Sequence, residues 1–244
     1  MSLILYHSPF STCSQKVRLA LAEKGLDYDS RIIELSRQEH LEDWYLAINP
    51  NGVVPSLVHN GRPVVDSSVI CEYLDDVFPE PALGPRDPLG RAAMRTWMRY
   101  FEEVPTTAIR VPSFNKLFAA EIAGMDAAKF DAMTSKMPLR KQFYRQMFSE
   151  GFPEQQYRDS MEKLRQCLVR VERHLADGRA YLLGGDFSIA DIALVPSAIR
   201  MLDLELHELW CDLPRFRAWL DTVQARPSFA VAYFPGSRVR PQPR

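Results

Sequence analysis

The feature that most constrains the fold is a break. Between Pro79 and Pro88 the chain carries four prolines and Gly84 but no apolar periodicity. Each proline fixes φ and lacks an N–H, so neither a helix nor a strand ladder runs through such a stretch. It reads as a connector, with a boundary near residues 80–87, and the patterns on its two sides differ. Ahead of it, Leu3–Tyr6 is a short β-like run, and Thr12–Lys24 places Val17, Leu19, Ala20 and Leu21 at helical spacing before the stop at Gly25. Tyr28–Leu35 is β-rich and Leu41–Ile48 is a short amphipathic stretch. Asn60-Gly61 lies between Pro55–His59 and Pro63–Val65, the signature of a tight hairpin. Ser67–Phe78 reads as a helix with Val69, Ile70, Tyr73, Leu74 and Val77 on its inner face. The order is βαβ followed by ββα.

Beyond the connector the patterning is helical, with candidate helices at about 88–110, 154–176, 188–203 and 213–226. Pro112, Gly124, Pro138 and Gly151 interrupt the segment 111–152, where short helices and loops are expected. The expected organisation is an α/β domain over residues 1–80 and an all-α domain over residues 88–235. The basic tail Arg238–Arg244 is expected to be disordered and solvated. Ser188 and Asp191 form a capping box, with Phe187 and Ile192 spaced for a hydrophobic staple. A structural role is expected for Asp191, its loss costing about 0.5–2 kcal/mol as for any cap.

Composition narrows the partners. An apolar content of 46% supports a buried core, and 30 Lys+Arg against 31 Asp+Glu leave no basic field for nucleic acid or an anionic membrane. Small molecules or protein are the expected partners. The longest apolar runs, such as Ile189–Ile199, contain Asp191 and are too short to span a membrane, and the N-terminus lacks a basic region followed by an apolar block. Cys13, Cys71, Cys167 and Cys211 have no paired short spacing, which excludes a CxxC site or a zinc cage. No metal is expected, and a cytoplasmic location fits reduced thiols.

Four local signals occur in a telling order: Ser8-Pro9-Phe10-Ser11-Thr12-Cys13-Ser14, Asn49-Pro50-Asn51-Gly52-Val53-Val54-Pro55, Asp66-Ser67-Ser68-Val69-Ile70-Cys71-Glu72-Tyr73-Leu74, and Ser188-Ile189-Ala190-Asp191. Together they span nearly the whole chain and resemble the glutathione transferase family. The resemblance implies a thioredoxin-like first domain that binds glutathione as co-substrate, an all-α second domain that holds a small hydrophobic electrophile, and a homodimer formed by the helices near 67–78 and 88–104.

It also implies roles for residues. A free thiol with a pKa near 8.5 must ionise to attack, and amides and the dipole at the start of a helix stabilise a thiolate. Serine-type relatives of the zeta and theta kinds place their catalytic serine where Ser11 falls. Cysteine-type relatives place a cysteine near Cys13, and bacterial β-etherases a proposed functional serine at Ser14. Thr12 is a further candidate in the same turn; the bland alternative is a plain helix cap for the hydroxyls and an inert cysteine at a helix start for Cys13. The family carries a cis proline where Pro55 stands, which would turn the Val54 backbone toward glutathione's cysteinyl unit. Asp66 and Ser67 resemble the pair that receives the γ-glutamyl end, with Ser67 as the helix cap. His40 is the first candidate for the glycyl carboxylate, ahead of Asn51 and Arg37.

The aromatic series Trp97, Tyr100 and Phe101 reads as core, with Tyr100 and Val104 as weak pocket candidates. Met137-Pro138-Leu139 through Gly151-Phe152-Pro153 resembles the long insertion of bacterial β-aryl etherase transferases, and the segment around Trp44 and Ile48-Asn49-Pro50 leans the same way. Three functions stay open: glutathione transfer to an aromatic electrophile, with β-aryl ether cleavage as a variant; thiol-disulfide exchange through Cys13; and a non-catalytic glutathione-binding module.

Overall fold

The computed structural model describes residues 2–117, 119, 124–147 and 151–239. Strand β1 (Leu3–His7) buries Leu3, Leu5 and His7 on one face, the period-two pattern of a strand packed on helices. It pairs in parallel with β2 (Asp29–Ile32) and antiparallel with β3 (Ser56–His59), and β3 pairs antiparallel with β4 (Arg62–Val65), giving the order β2-β1-β3-β4. A parallel pair needs a crossover, and helix α1 (Thr12–Glu23) supplies it. The β3–β4 hairpin turns at Asn60 and Gly61, both at positive φ (48° and 79°), as a two-residue primed turn requires. Helix α2 (Asp43–Leu46) precedes the loop into β3, and α3 (Ser67–Val77) closes a thioredoxin-like α/β domain.

The second half is all helical: α4 (Pro88–Glu103), α5 (Pro105–Ala108), α6 (Arg110–Leu117), α7 (Ala127–Ser135), α8 (Lys141–Met147), α9 (Glu154–His174), α10 (Ile189–Asp203), α11 (Pro214–Gln224) and α12 (Pro227–Ala232). Helix α10 is predominantly apolar and buried along nearly its whole length, as a central helix must be. It packs against α4 on one side and against α1 and α3 of the first domain on the other. The capping box at its start is present, and the buried Asp191 carboxylate accepts from Ser188 N (3.1 Å), Ser188 Oγ (2.8 Å), Leu182 N (2.9 Å) and Trp219 Nε1 (2.9 Å).

Four expectations need correction. The helix expected over about 88–110 breaks at Val104, because Pro105 cannot donate to the α4 ladder; α5 and α6 continue from there. On α3, Ile70, Cys71 and Leu74 face inward, whereas Val69 and Val77 are 50% and 36% exposed. The cap of α3 is Asp66 rather than Ser67: its Oδ1 accepts from Ser68 N (2.9 Å) and Val69 N (3.2 Å). The tail is anchored where it starts. Arg238 donates to the buried Asp203 carboxylate at 2.8 Å, and Gln15 Nε2 on α1 donates to Ser237 O at 3.1 Å. Residues 240–244 lie outside the described residues.

Candidate active site

The start of α1 is built from its own hydroxyls. Ser11 is the N-cap, its Oγ accepting from Ser14 N at 3.3 Å, and its side chain stays half-buried beside those of Thr12 and Cys13. Ser14 differs. It is fully buried, and its Oγ accepts from Ser8 N at 3.3 Å, tying the loop to the helix beneath. Two arginines hold the same loop from behind. Buried Arg18 donates to Ser8 O (3.3 Å), Pro9 O (3.0 Å) and Ala232 O (2.9 Å), while Arg200 of α10 reaches across the domains to Phe10 O. Sequence reading missed both, since a long cation on an apolar helix face gives no local sign that carbonyls await it.

The second wall is the loop ahead of β3. The Val54–Pro55 bond is cis, as the resemblance implied, and among the described residues Val54 joins none of the backbone hydrogen bonds of the loops and turns. Tyr45 Oη and Asn49 Nδ2 each donate to Val53 O at 2.8 Å, and both also contact Ser56 Oγ (2.9 and 3.0 Å), so the loop is pinned on either side of the cis bond. Tyr45 escaped notice in the sequence; Asn49, four residues before Val53 in an Asn-Pro-Asn-Gly turn, carried the visible signal. His40 is buried. Its Nδ1 has no hydrogen-bond partner among the described residues, and burial pushes its pKa down.

The third wall is the start of α3, where Ser67 is buried and Asp66 exposed. Beside it lies a buried ion pair. Lys16 of α1 contacts both Ser68 Oγ (3.3 Å) and Glu102 of α4, and Ser68 Oγ donates to Glu102 Oε1 at 2.6 Å. Burial opposes charging either partner, but each one's opposite charge prevails: Lys16 is held above the usual lysine range and Glu102 below the usual carboxylate range. The thiols of Cys71 and Cys167 are pushed up to about 12 by burial, which makes them inert, whereas Cys13 is accessible.

The arrangement is a helix start rich in hydroxyls, a cis-proline loop with a free backbone edge, and a capped second helix, all on one thioredoxin-like domain. Residues 5–82 match the model of the glutathione S-transferase N-terminal domain, and residues 154–222 that of its C-terminal domain. The chain belongs to the glutathione S-transferase family. It is therefore an enzyme of the type whose co-substrate is glutathione. It is 32% identical to protein LigF of Sphingobium sp. over 93% of this chain and 91% of that one. It is 33% identical to a maleylacetoacetate isomerase of Pseudomonas aeruginosa (96% and 95% covered) and 30% identical to the glutathione S-transferase TCHQD of Arabidopsis thaliana (96% and 91%). The crystal structure of the Sphingobium β-etherase LigF superposes with a TM-score of 0.83 over 96% of this chain and 99% of that one. No helix among the described residues is long and apolar enough to cross a membrane.

Proposed function

We propose that this glutathione transferase uses the thiolate of glutathione to attack a small hydrophobic, aromatic electrophile. Residues 1–80 bind glutathione and residues 88–235 the acceptor. The observation that carries this reading is the pairing of the half-buried Ser11 hydroxyl at the α1 start with the unengaged Val54 backbone edge beside cis-Pro55. Val54 N–H and C=O hold the cysteinyl unit as an added strand would, Ser67 and Asp66 take the γ-glutamyl end at the start of α3, and His40 serves the glycyl carboxylate. Ser11 donates a hydrogen bond to sulfur. Thr12 lines the same turn, Cys13 lies next to it, and Ser14 shapes the turn from below.

With a chloronitrobenzene, the sulfur lone pair forms the C–S bond and the ring expels chloride with the bonding pair. The likeness to a β-etherase favours one second reading, in which the carbon attacked carries an aryloxy group and the leaving phenolate takes the electron pair and then a proton from water. The four unpaired cysteines support a cytoplasmic location. The test is a pH titration of the thiolate absorbance of bound glutathione, with an aryl halide assayed in parallel, in the parent, Ser11→Ala and Cys13→Ala proteins. Ser11→Ala is expected to raise the midpoint by about 1–2 pH units, as loss of one charge-assisted hydrogen bond of roughly 1.5–3 kcal/mol requires. Loss of turnover in Cys13→Ala with no effect of Ser11→Ala would replace this reading with thiol-disulfide exchange.

A further inference from the structure

In the helical domain two half-buried guanidinium groups lie near enough for one charge to act on the other, and neither has an ion pair among the described residues. Arg110 opens α6, and Arg140 lies immediately ahead of α8. The two helices are locked together one turn further on: Phe114 packs edge-on against Phe143 and Tyr144, with ring centroids at 4.9 and 5.4 Å. Arg110 is four residues before Phe114 and Arg140 four before Tyr144, so each arginine lies about one turn ahead of this aromatic contact in its own segment. Both are half-buried, and no ion pair or side-chain hydrogen bond engages either among the described residues. The carboxylate that acts on Arg110 from a distance, Glu102, is already held by Lys16 and Ser68. Burial, and then the like charge of Arg140, pull Arg110 down to about 10, while Cys13 lies close enough to act on it in the opposite sense. A Cβ placed on Gly52, two residues before Val54, would lie 3.1 Å from Pro138 Cδ, so the loop carrying Arg140 rests on the loop that precedes the cis proline.

Two like charges close together in a partly dry site repel each other unless an anion joins them, and the guanidinium fork matches the geometry of a carboxylate. We infer that Arg110 and Arg140 form an anion-receiving subsite of the acceptor pocket, so that the preferred electrophile is an aromatic compound bearing a carboxylate. This rests on the transferase reading above. The γ-glutamyl and glycyl carboxylates of glutathione are assigned to the α3 start and to His40, both on the first domain, which leaves this cation pair for the second substrate.

The deciding measurement is calorimetric titration with two aryl–glutathione conjugates that differ only in a ring carboxylate or its methyl ester. Conjugates bind whether or not the protein turns over, so the result is independent of the transferase reading, and kcat/KM for the matching chloronitrobenzoate and its ester tests that reading separately. The parent is expected to bind the carboxylate conjugate at least about tenfold more tightly than the ester, and less so as salt rises. That ratio is expected to fall to within about twofold in Arg110→Gln and in Arg140→Gln. It stays at the parental value in Arg145→Gln, whose arginine is exposed and paired with Asp131. Equal binding of the two conjugates to the parent, or an unchanged ratio in both glutamine variants, overturns the subsite.

Discussion

Ser11 and Ser14 are one helical turn apart and identical in chemistry, yet their surroundings divide their work. Ser14 Oγ is the acceptor for a buried amide, Ser8 N, inside a shell that excludes water. Ser14→Ala is expected to lower stability by about 1–3 kcal/mol, the cost of an orphaned buried donor, while leaving the thiolate midpoint near the parental value; urea denaturation and the thiolate titration together check this. Ser67 also follows from its position. It is buried at the first turn of α3, while Asp66 carries the cap, so Ser67→Ala is expected to weaken glutathione binding with little loss of helix stability. Calorimetric titration beside a thermal melt separates the two effects, and a variant that binds as tightly as the parent removes this contact from the reading.

At the scale of elements, the start of α10 shows how much an apparently ordinary cap can carry. A Ser-x-x-Asp box suggests one or two capping bonds worth about 0.5–2 kcal/mol. Asp191 instead gathers four donors from three residues, including the indole of Trp219 on α11, and burial pushes its carboxyl pKa up despite them. Its removal leaves several buried donors unsatisfied at about 1–3 kcal/mol each, partly offset by no longer burying a charge. Asp191→Ala is accordingly expected to cost about 3–5 kcal/mol, above the cap range, and equilibrium denaturation measures it. The box itself was legible because its residues are three apart in the chain. Leu182 and Trp219 were not, since nothing local ties either to residue 191.

For the whole molecule, the joint between β1, α1 and the C-terminal segment sets the acid limit. His7 is buried, with Nδ1 accepting from Arg18 at 3.2 Å and Nε2 bonded to Ser30 Oγ at 2.8 Å. Burial, and then the positive Arg18, push its pKa down to about 4 from 6.5. The unfolded chain therefore binds the proton first, so the contribution is complete above pH 6.5 and is lost as pH falls from there toward 4. About 2 kcal/mol is expected to disappear between pH 7.5 and 5. Urea denaturation at the two pH values, compared with His7→Gln, checks this: the glutamine variant should lose less over that interval. At the same scale, Val69, 50% exposed on α3, lines a shallow cleft with Glu72, Arg95 and Met98, and Leu89 on α4 is 84% exposed. We propose this face as the contact of a homodimer, and sedimentation velocity is expected to give twice the chain mass; a monodisperse monomer contradicts it.

The two-part organisation followed from the chain alone because periodicity and the prolines of the connector are local properties, each visible within a dozen residues. The hairpin at Asn60-Gly61 and the cluster Ser11–Ser14 at the head of α1 were legible for the same reason. Tertiary structure alone decided what each of those residues touches. Arg200 grips Phe10 O from 190 residues away, Lys16 finds Glu102 across 86, and Arg110 comes under the charge of Arg140 from a segment that Phe114 touches through Phe143 and Tyr144. These are charged or polar groups, which a sequence pattern assigns to solvent by default; burial reverses that assignment only where a distant segment supplies the partner or, at the arginine pair, leaves one to be supplied by a ligand.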